Sequence, residues 1–377
     1  MSVSMRYARS DEYPQISNFL DEFWAKQHIY VRTRSLFDWT FHRVTHWDPD
    51  QYSFAVAEDE TGLTGILGGI PFTFNRFGVT SQGVWIVNYV IRPDHRKGPA
   101  ALQLLGTFRK PEFDPVIAFG ITRATSVIYR VLRGRVLPEI PRLVMVLPEA
   151  QNRFAALLSI AHPEWEGSRA AEMSSFFTSA FRDSGRVEAK THLPAKWDEI
   201  DWPEIAQKTV GAARDSEFLK WRYLDHPNFE YKFLSVPEGD RNGLIVWRLE
   251  TIQRKTENGR VDFDRIGRLV EFLPVSDSNA EKLVSALVGE LRENGAFAAD
   301  FYSFHGPARQ HLQNLGFTPT ALHPEGDAIP SRFQPLDGKG GGILSAMFLK
   351  EELPECSDAV DCPWYWTKSD SDQDRPN

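Results

Sequence analysis

The sequence predicts an α/β protein in which a mixed sheet flanked by helices is built twice in tandem. Three observations carry that expectation. Hydrophobic periodicity in the first half reads strand, two helices, three strands, helix, strand, helix. The chain of 377 residues is too long for one ordinary domain and fits two. The first half also has an echo: Leu36-Phe37-Asp38-Trp39-Thr40-Phe41 is matched by Phe218-Leu219-Lys220-Trp221-Arg222-Tyr223.

Each element has its own signal. Met5–Ala8 is a short strand, and Asp11 opens a helix with Ile16, Phe19, Leu20 and Phe23 on one face. Ser35–Phe41 is a second helix. Tyr52–Ala57 and Thr64–Phe74 are strands around the turn Asp59-Glu60-Thr61-Gly62. Val84–Ile91 is a continuous apolar strand ending at Arg92-Pro93, and the helix after Gly98 carries Leu102, Leu104 and Leu105. Pro115–Phe119 is a short buried strand, Thr122–Leu132 a helix, and Val136–Leu147 extended. This order fits neither a doubly wound dinucleotide fold nor a barrel.

The second half repeats these signals. Tyr231-Lys232-Phe233 answers Tyr52-Ser53-Phe54, Leu269–Phe272 answers Val87–Val90, and the helix Ala280–Leu291 answers the one after Gly98. The expected division is a first domain over 1–180, a polar linker over 181–203, a second domain over 204–350 and an acidic aromatic tail over 351–377. The end of the tail has two readings, disorder or a segment folded back against a cleft.

Composition narrows the function. A net charge of −8 opposes a general nucleic-acid binder. Arg123, Arg130, Arg133, Arg135 and Arg142 still crowd one stretch, after Arg96, Lys97, Arg109 and Lys110, and such a cluster suits phosphates. The two cysteines, Cys356 and Cys362, have no zinc-ligand spacing and form no disulfide framework, so no metal is expected and a reducing compartment is. Met1–Tyr13 has no signal-peptide core, and no apolar run reaches membrane-spanning length. The expected location is the cytoplasm. The abundant Trp and Phe are assigned mainly to cores.

The most informative stretch is Arg92-Pro93-Asp94-His95-Arg96-Lys97-Gly98-Pro99-Ala100. A buried strand ends, a basic glycine loop follows and a helix begins, which suits a pyrophosphate: a glycine lets phosphate approach the backbone, and the first N–H groups of a helix have no internal partner. With the element order, this loop resembles the GNAT N-acetyltransferase superfamily, whose coenzyme A loop runs Arg/Gln-x-x-Gly-x-Gly/Ala. Gly98 and Ala100 match; the first position is His95, and a one-residue deletion would put Arg96 there. The resemblance implies acyl-CoA as cosubstrate, held by Asn88, Val90, Arg96, Lys97, Gly98, Ala100 and Ala101. It also implies Tyr129, on the helix after Phe119-Gly120, as donor of a proton to the departing thiolate. Thr122 and Thr125 replace the family's Asn and Ala on that helix.

In the second copy Asn314-Leu315-Gly316-Phe317 keeps the family's Gly-Phe, but Leu312 stands at the tyrosine position and Pro274-Val275-Ser276-Asp277-Ser278 lacks glycine and basic residues. That copy is expected to be non-catalytic and to shape the acceptor site of the first. The ending Trp366-Thr367-Lys368-Ser369-Asp370-Ser371-Asp372-Gln373-Asp374-Arg375-Pro376 resembles double-GNAT proteins of bacterial polysaccharide gene clusters, some of which acylate the amine of a nucleotide-linked amino sugar. That resemblance implies such a sugar as the second substrate, no nucleic acid, and Asp370, Asp372 and Asp374 as sugar-binding residues. Aminoacyl transfer of the FemAB type and a non-catalytic scaffold are the alternatives. The general base is not assigned by any spacing among the ten histidines.

Overall fold

The computed structural model describes residues 3–43, 46–181, 185, 187–255, 261–333, 336–337 and 342–376. The first half supplies strands Ser4–Arg9 (β1), Gln51–Asp59 (β2), Gly62–Arg76 (β3), Val79–Ile91 (β4), Val116–Ile121 (β5), Arg135–Val136 (β6) and Arg142–Val146 (β7). The second supplies Val210–Ala212 (β8), Lys232–Glu238 (β9), Arg241–Lys255 (β10), Val261–Leu273 (β11), Ala296–Tyr302 (β12), Thr318–Pro319 (β13), Arg332–Phe333 (β14), Leu336–Asp337 (β15) and Leu344–Phe348 (β16). One sheet runs β1-β2-β3-β4-β5-β16-β6, with β8 on the end of β3, and the other runs β9-β10-β11-β12-β7-β13. β14 and β15 pair only with each other.

The two sheets therefore exchange strands. β7 inserts antiparallel beside β12 in the second sheet, and β16 inserts antiparallel beside β5 in the first. Each sheet thus takes a strand from the opposite half of the chain. The segment after β6 contains Pro138 and Pro141, which disfavour a tight return hairpin. It runs extended beside the start of β16 and the residue before it, with Leu137 N donating to Ser345 O at 2.9 Å and Ile140 N to Ile343 O at 3.1 Å, and then crosses to the second sheet.

The helices follow their patterns. Tyr13–Phe23 (α1) starts with proline in its first turn and buries Ile16, Phe19 and Leu20. Ile29–Arg32 (α2) and Arg34–Phe41 (α3) follow. Ala100–Gly106 (α4) succeeds β4, and Arg123–Val131 (α5) succeeds β5 behind a Thr122–Thr125 capping box. In the second half Asp277–Glu293, capped by Ser276, occupies the place of α4, and Gly306–Asn314 that of α5. Trp85, Trp197, Trp247, Trp364 and Trp366 are fully buried, so these five rings fill cores. One apolar cluster spans both halves and holds Phe37, Phe41, Tyr223, Trp364 and Trp366 together. Among the described residues no helix is long and apolar enough to cross a membrane.

Candidate active site

β4 and β5 run parallel, paired at Val84–Val116, Trp85–Ile117 and Ile86–Ala118, and their pairing ends there. Here the register of β4 against β3 slips by one residue, from Gly68–Val87 to Ile66–Val90. Such a slip is a β-bulge, which leaves its extra residue outside the ladder. Asn88 marks it with φ 51°, a left-handed conformation that asparagine tolerates better than most residues. Its side chain is buried, and Oδ1 has no hydrogen-bond partner.

The bulge leads straight into the basic loop. Pro93–His95 forms one 3-10 turn, locked by Arg92, which donates from Nε to Asp94 at 2.8 Å and from Nη2 to His95 Nε2 at 2.8 Å. Arg96 folds back, Nε donating to Ile91 O at 3.1 Å. Lys97, Gly98 and Pro99 are exposed. A Cβ added at Gly98 would have only His95 O nearby, at 3.5 Å. The Tyr89 hydroxyl donates to Ala101 O at 2.5 Å and so ties the bulge to the first turn of α4. Val90 is buried and pairs with Ile66. Asn88, Val90, Arg96, Lys97, Gly98, Ala100 and Ala101 thus lie on one continuous path from the bulge into α4.

Tyr129 lies on α5 in the same apolar cluster as Ile86, Leu105, Val116 and Ala118, with Tyr89, Ala101 and Ile121 packed against it. Its ring is 5.9 Å from that of Phe348 on the exchanged strand β16. Burial, with a smaller contribution from Tyr89, raises its phenol above the ordinary tyrosine range. The hydroxyl therefore keeps its proton at neutral pH, the state a proton donor needs. The arginine cluster is divided. Arg142 is buried, donating to Asp300 at 2.8 Å, and Arg123 pairs with Glu139 at 3.2 Å.

No family model matches the chain, and no curated protein matches it in sequence. Solved structures do. A GCN5-related N-acetyltransferase from Anabaena variabilis superposes with TM-score 0.50 at 13% identity, over 80% of this chain and 66% of that one, just under two thirds of its length. A GCN5-related N-acetyltransferase from Kribbella flavida gives TM-score 0.54 at 12% identity, over 92% and 72%. Saccharomyces cerevisiae N-myristoyltransferase, solved with bound myristoyl-CoA, gives TM-score 0.55 at 11% identity, over 96% and 84%. The fold is that of the GCN5-related N-acetyltransferases. At these identities the likeness is one of fold, and from β9 onward the second half repeats the three strands, helix, strand and helix of the first, with no described strand beside β9 in the place of β1.

The second sheet repeats the bulge, its register slipping by one residue between Val246–Glu271 and Trp247–Leu269. There the tail fills the strand end. Tyr365 Oη accepts from Phe272 N at 2.9 Å and donates to Phe272 O at 3.2 Å, which consumes backbone groups beside the bulge. Glu271 is fully buried against Arg214 at 2.7 Å, and Leu312, at the tyrosine position, is buried. A cavity of 230 Å³ remains at the surface, lined by Phe272, Pro274, Pro307, His311, Asp201 and Arg241.

The tail is folded through Asp374, which sets aside the reading of a disordered end, and its aspartates are used differently from the expected row. Asp370 accepts from Arg214 at 2.9 Å, and Asp374 accepts from Arg248 at 2.7 Å and from Tyr231 Oη at 2.7 Å. Both carboxylates are about fully buried, at 1% exposure. They anchor the tail to the second unit and present no face to a sugar. The alternation fails because the segment bends, with Ser371 at φ 60°. Asp372 takes a third course, paired with Arg375 and accepting from Gln373 Nε2 at 3.0 Å. Gln373 is not singled out by the sequence, where nothing local distinguishes it, while Tyr365 is marked there only as one of three rings, with Trp364 and Trp366, that seldom stay exposed. Among the described residues no three His, Cys, Asp or Glu side chains are grouped to hold a metal.

Proposed function

We propose that this chain is an acyl-CoA-dependent N-acyltransferase acting at the gap between β4 and β5. The observation that carries the reading is the bulge at Asn88, set where the two strands part and leading into the exposed Lys97-Gly98 loop. The bound myristoyl-CoA of the yeast N-myristoyltransferase, a protein of the same fold, supports acyl-CoA as the donor.

The chemistry assigns roles along this path. An amine nitrogen bonds to the thioester carbonyl carbon, the carbon–sulfur bond breaks, and the sulfur leaves as thiolate. Backbone N–H at the bulge stabilises the oxyanion. Arg96, Lys97 and the open backbone at Gly98 hold the diphosphate of coenzyme A, with Ala100 and Ala101 opening the helix beside it. Tyr129 gives its proton to the thiolate. The amine loses one proton to solvent or buffer, and the Tyr129 phenolate takes one back, which restores the phenol and closes the balance. The second unit acts as support, since Tyr365 fills its strand end.

The acceptor we propose is the amino group of a nucleotide-linked amino sugar used for bacterial surface polysaccharide, a reaction placed in the cytoplasm. This part rests only on the resemblance of the Trp366–Pro376 segment and of Trp221-Arg222-Tyr223. The test is an initial-rate assay of thiol release from acyl-CoAs of several chain lengths against a panel of nucleotide-linked amino sugars. Amine-dependent thiol release with an N-acyl product by mass spectrometry supports the reading. Thiol release that ignores the amine, or none with any pair, contradicts it.

A further inference from the structure

We infer that Cys356 and Cys362 form a redox-active dithiol at the root of the tail, open to oxidation by a hydroperoxide, with Arg309 as counter-ion to the attacking sulfur; the inference is independent of the acyl-transfer reading. Both thiols are free and buried, and both belong to the apolar cluster that holds Trp364. They are hydrogen-bonded to each other, the Cys356 thiol donating to the Cys362 sulfur. The loop between them is closed at its neck, where Trp364 Nε1 donates to Pro354 O at 2.9 Å. The loop is seated on the first turn of the helix Gly306–Asn314. Gly306 N donates to Cys362 O at 2.9 Å, and a Cβ at Gly306 would collide with Val360 O. Residues 358–361 are exposed, so the thiols sit at the base of a surface loop and a small oxidant reaches them by a local opening.

Arg309 supplies the charge. It is buried, at 8% exposure, and forms no ion pair with a carboxylate among the described residues. Its Nη2 donates to Ala359 O at 2.9 Å, and its Nε is buried without a hydrogen-bond partner. A buried guanidinium without a counter-ion is costly. Burial lowers Arg309, and the charge of Cys362 is the strongest influence against that, ahead of Asp358. The thiols respond in opposite directions. The hydrogen bond from Cys356 lowers Cys362 to about 6 from an ordinary 9, against burial, helped by the N–H groups of Ser357 and Trp364 and by Arg309. Burial raises Cys356. At neutral pH Cys362 is thus the thiolate and Cys356 the thiol, a nucleophile beside its resolving partner.

The steps balance. The Cys362 thiolate attacks one oxygen of the hydroperoxide; a sulfur–oxygen bond forms, the oxygen–oxygen bond breaks, and the alkoxide takes a proton from solvent. Cys362 is now a sulfenic acid. The Cys356 sulfur attacks the Cys362 sulfur; a sulfur–sulfur bond forms, the sulfur–oxygen bond breaks, and hydroxide leaves with the Cys356 proton as water. Two thiols and one hydroperoxide become a disulfide, an alcohol and water. The disulfide staples the segment that joins β16 to the tail.

The test treats the folded full chain with hydrogen peroxide, alkylates what remains and weighs the intact protein. The expected product is a monomer lighter by two hydrogens, with no alkylated cysteine, restored by dithiothreitol. Cys356→Ser removes the resolving thiol, so the Cys362 sulfenic acid should accumulate and be trapped by dimedone. Arg309→Met keeps both thiols and should slow oxidation about tenfold at neutral pH, because the rate follows the thiolate fraction. A folded wild-type protein that keeps two alkylatable thiols, or that forms its disulfide only between chains or only in urea, overturns the inference. Oxidation of Arg309→Met at the wild-type rate overturns the role of Arg309.

Discussion

Trp39 and Trp221 hold each other by the same bond made twice. The indole of Trp39 donates to the carbonyl of Trp221 at 3.1 Å, and the indole of Trp221 donates to the carbonyl of Trp39 at 3.4 Å. Their rings stack 5.0 Å apart at 19°. The two residues are 182 positions apart and occupy matching places in the two sequence copies. A reciprocal contact between equivalent residues is what a two-fold relation produces. The exchange of β7 and β16 obeys the same relation, each lying antiparallel beside the matching strand of the other unit.

Removing either ring should loosen both units together. Trp39→Ala and Trp221→Ala are each expected to cost about 2–3 kcal/mol, below the range for fully buried tryptophans because both are half-buried. In a double-mutant cycle by chemical denaturation the pair should show coupling of about 1 kcal/mol. Strict additivity would mean that the stack contributes no interaction of its own.

Gly98→Asp should remove coenzyme A binding without unfolding the protein. The nearest atom to a new Cβ is 3.5 Å away, so the fold accepts a side chain. The added negative charge stands where the diphosphate is proposed to rest. Calorimetry should show no binding beside an unchanged melting transition; wild-type affinity would reduce the loop to a turn.

Tyr129→Phe keeps the buried ring and its contact with Phe348 and removes only the hydroxyl. If that hydroxyl protonates the thiolate, kcat should fall roughly tenfold to ten-thousandfold while acyl-CoA affinity stays put. An unchanged kcat in single-turnover measurements would return Tyr129 to a packing role.

Asp374→Asn should destabilise the protein by about 3 kcal/mol, because it takes from the buried Arg248 guanidinium the nearer of its two carboxylates and leaves it Glu250 alone at 3.2 Å. Truncation after Lys368 also takes Asp370 from Arg214, which keeps only Glu271, so it tests folding before it tests acceptor binding. Replacing both members, Asp374→Asn with Arg248→Met, should recover part of the loss in urea titrations. A single variant as stable as wild type would show that the tail anchor is dispensable.

Three histidines make the fold sensitive to acid. Burial lowers His28 to about 4, and His226 and His305 to about 3, from an ordinary value of 6.5. Between these values the unfolded chain binds more protons than the folded one, so stability rises with pH there and falls as pH drops from 6.5 toward 4. His305 caps its helix by accepting from Ala308 N at 3.3 Å, a bond that asparagine can replace. His305→Asn should therefore narrow the gap in Tm between pH 5 and pH 7.5. An identical gap in wild type and variant would remove His305 from the account.

The sequence showed the parts of this molecule that depend on local pattern. Strand and helix order follow from periodicity, and the strand–loop–helix at 84–106 is contiguous, so its path can be read along the chain. The exchange could not be read, because Leu143–Val146 and Leu344–Phe348 are short apolar runs that carry no label for their partner sheet. The tail was half legible. Its rings announced burial, but Asp370 and Asp374 find arginines 156 and 126 residues away, and no local signal names such partners. Arg142 misled for the same reason, its partner Asp300 lying 158 residues on.

The most direct test is the stoichiometry of coenzyme A binding to the wild-type chain by titration calorimetry. The two units share a fold and a bulged strand, but only the first leaves the gap open beside a basic glycine loop, while Tyr365 closes the second. The account predicts saturable binding of one coenzyme A per chain, abolished by Gly98→Asp. Two equivalent sites, one site indifferent to Gly98→Asp, or no binding would contradict it.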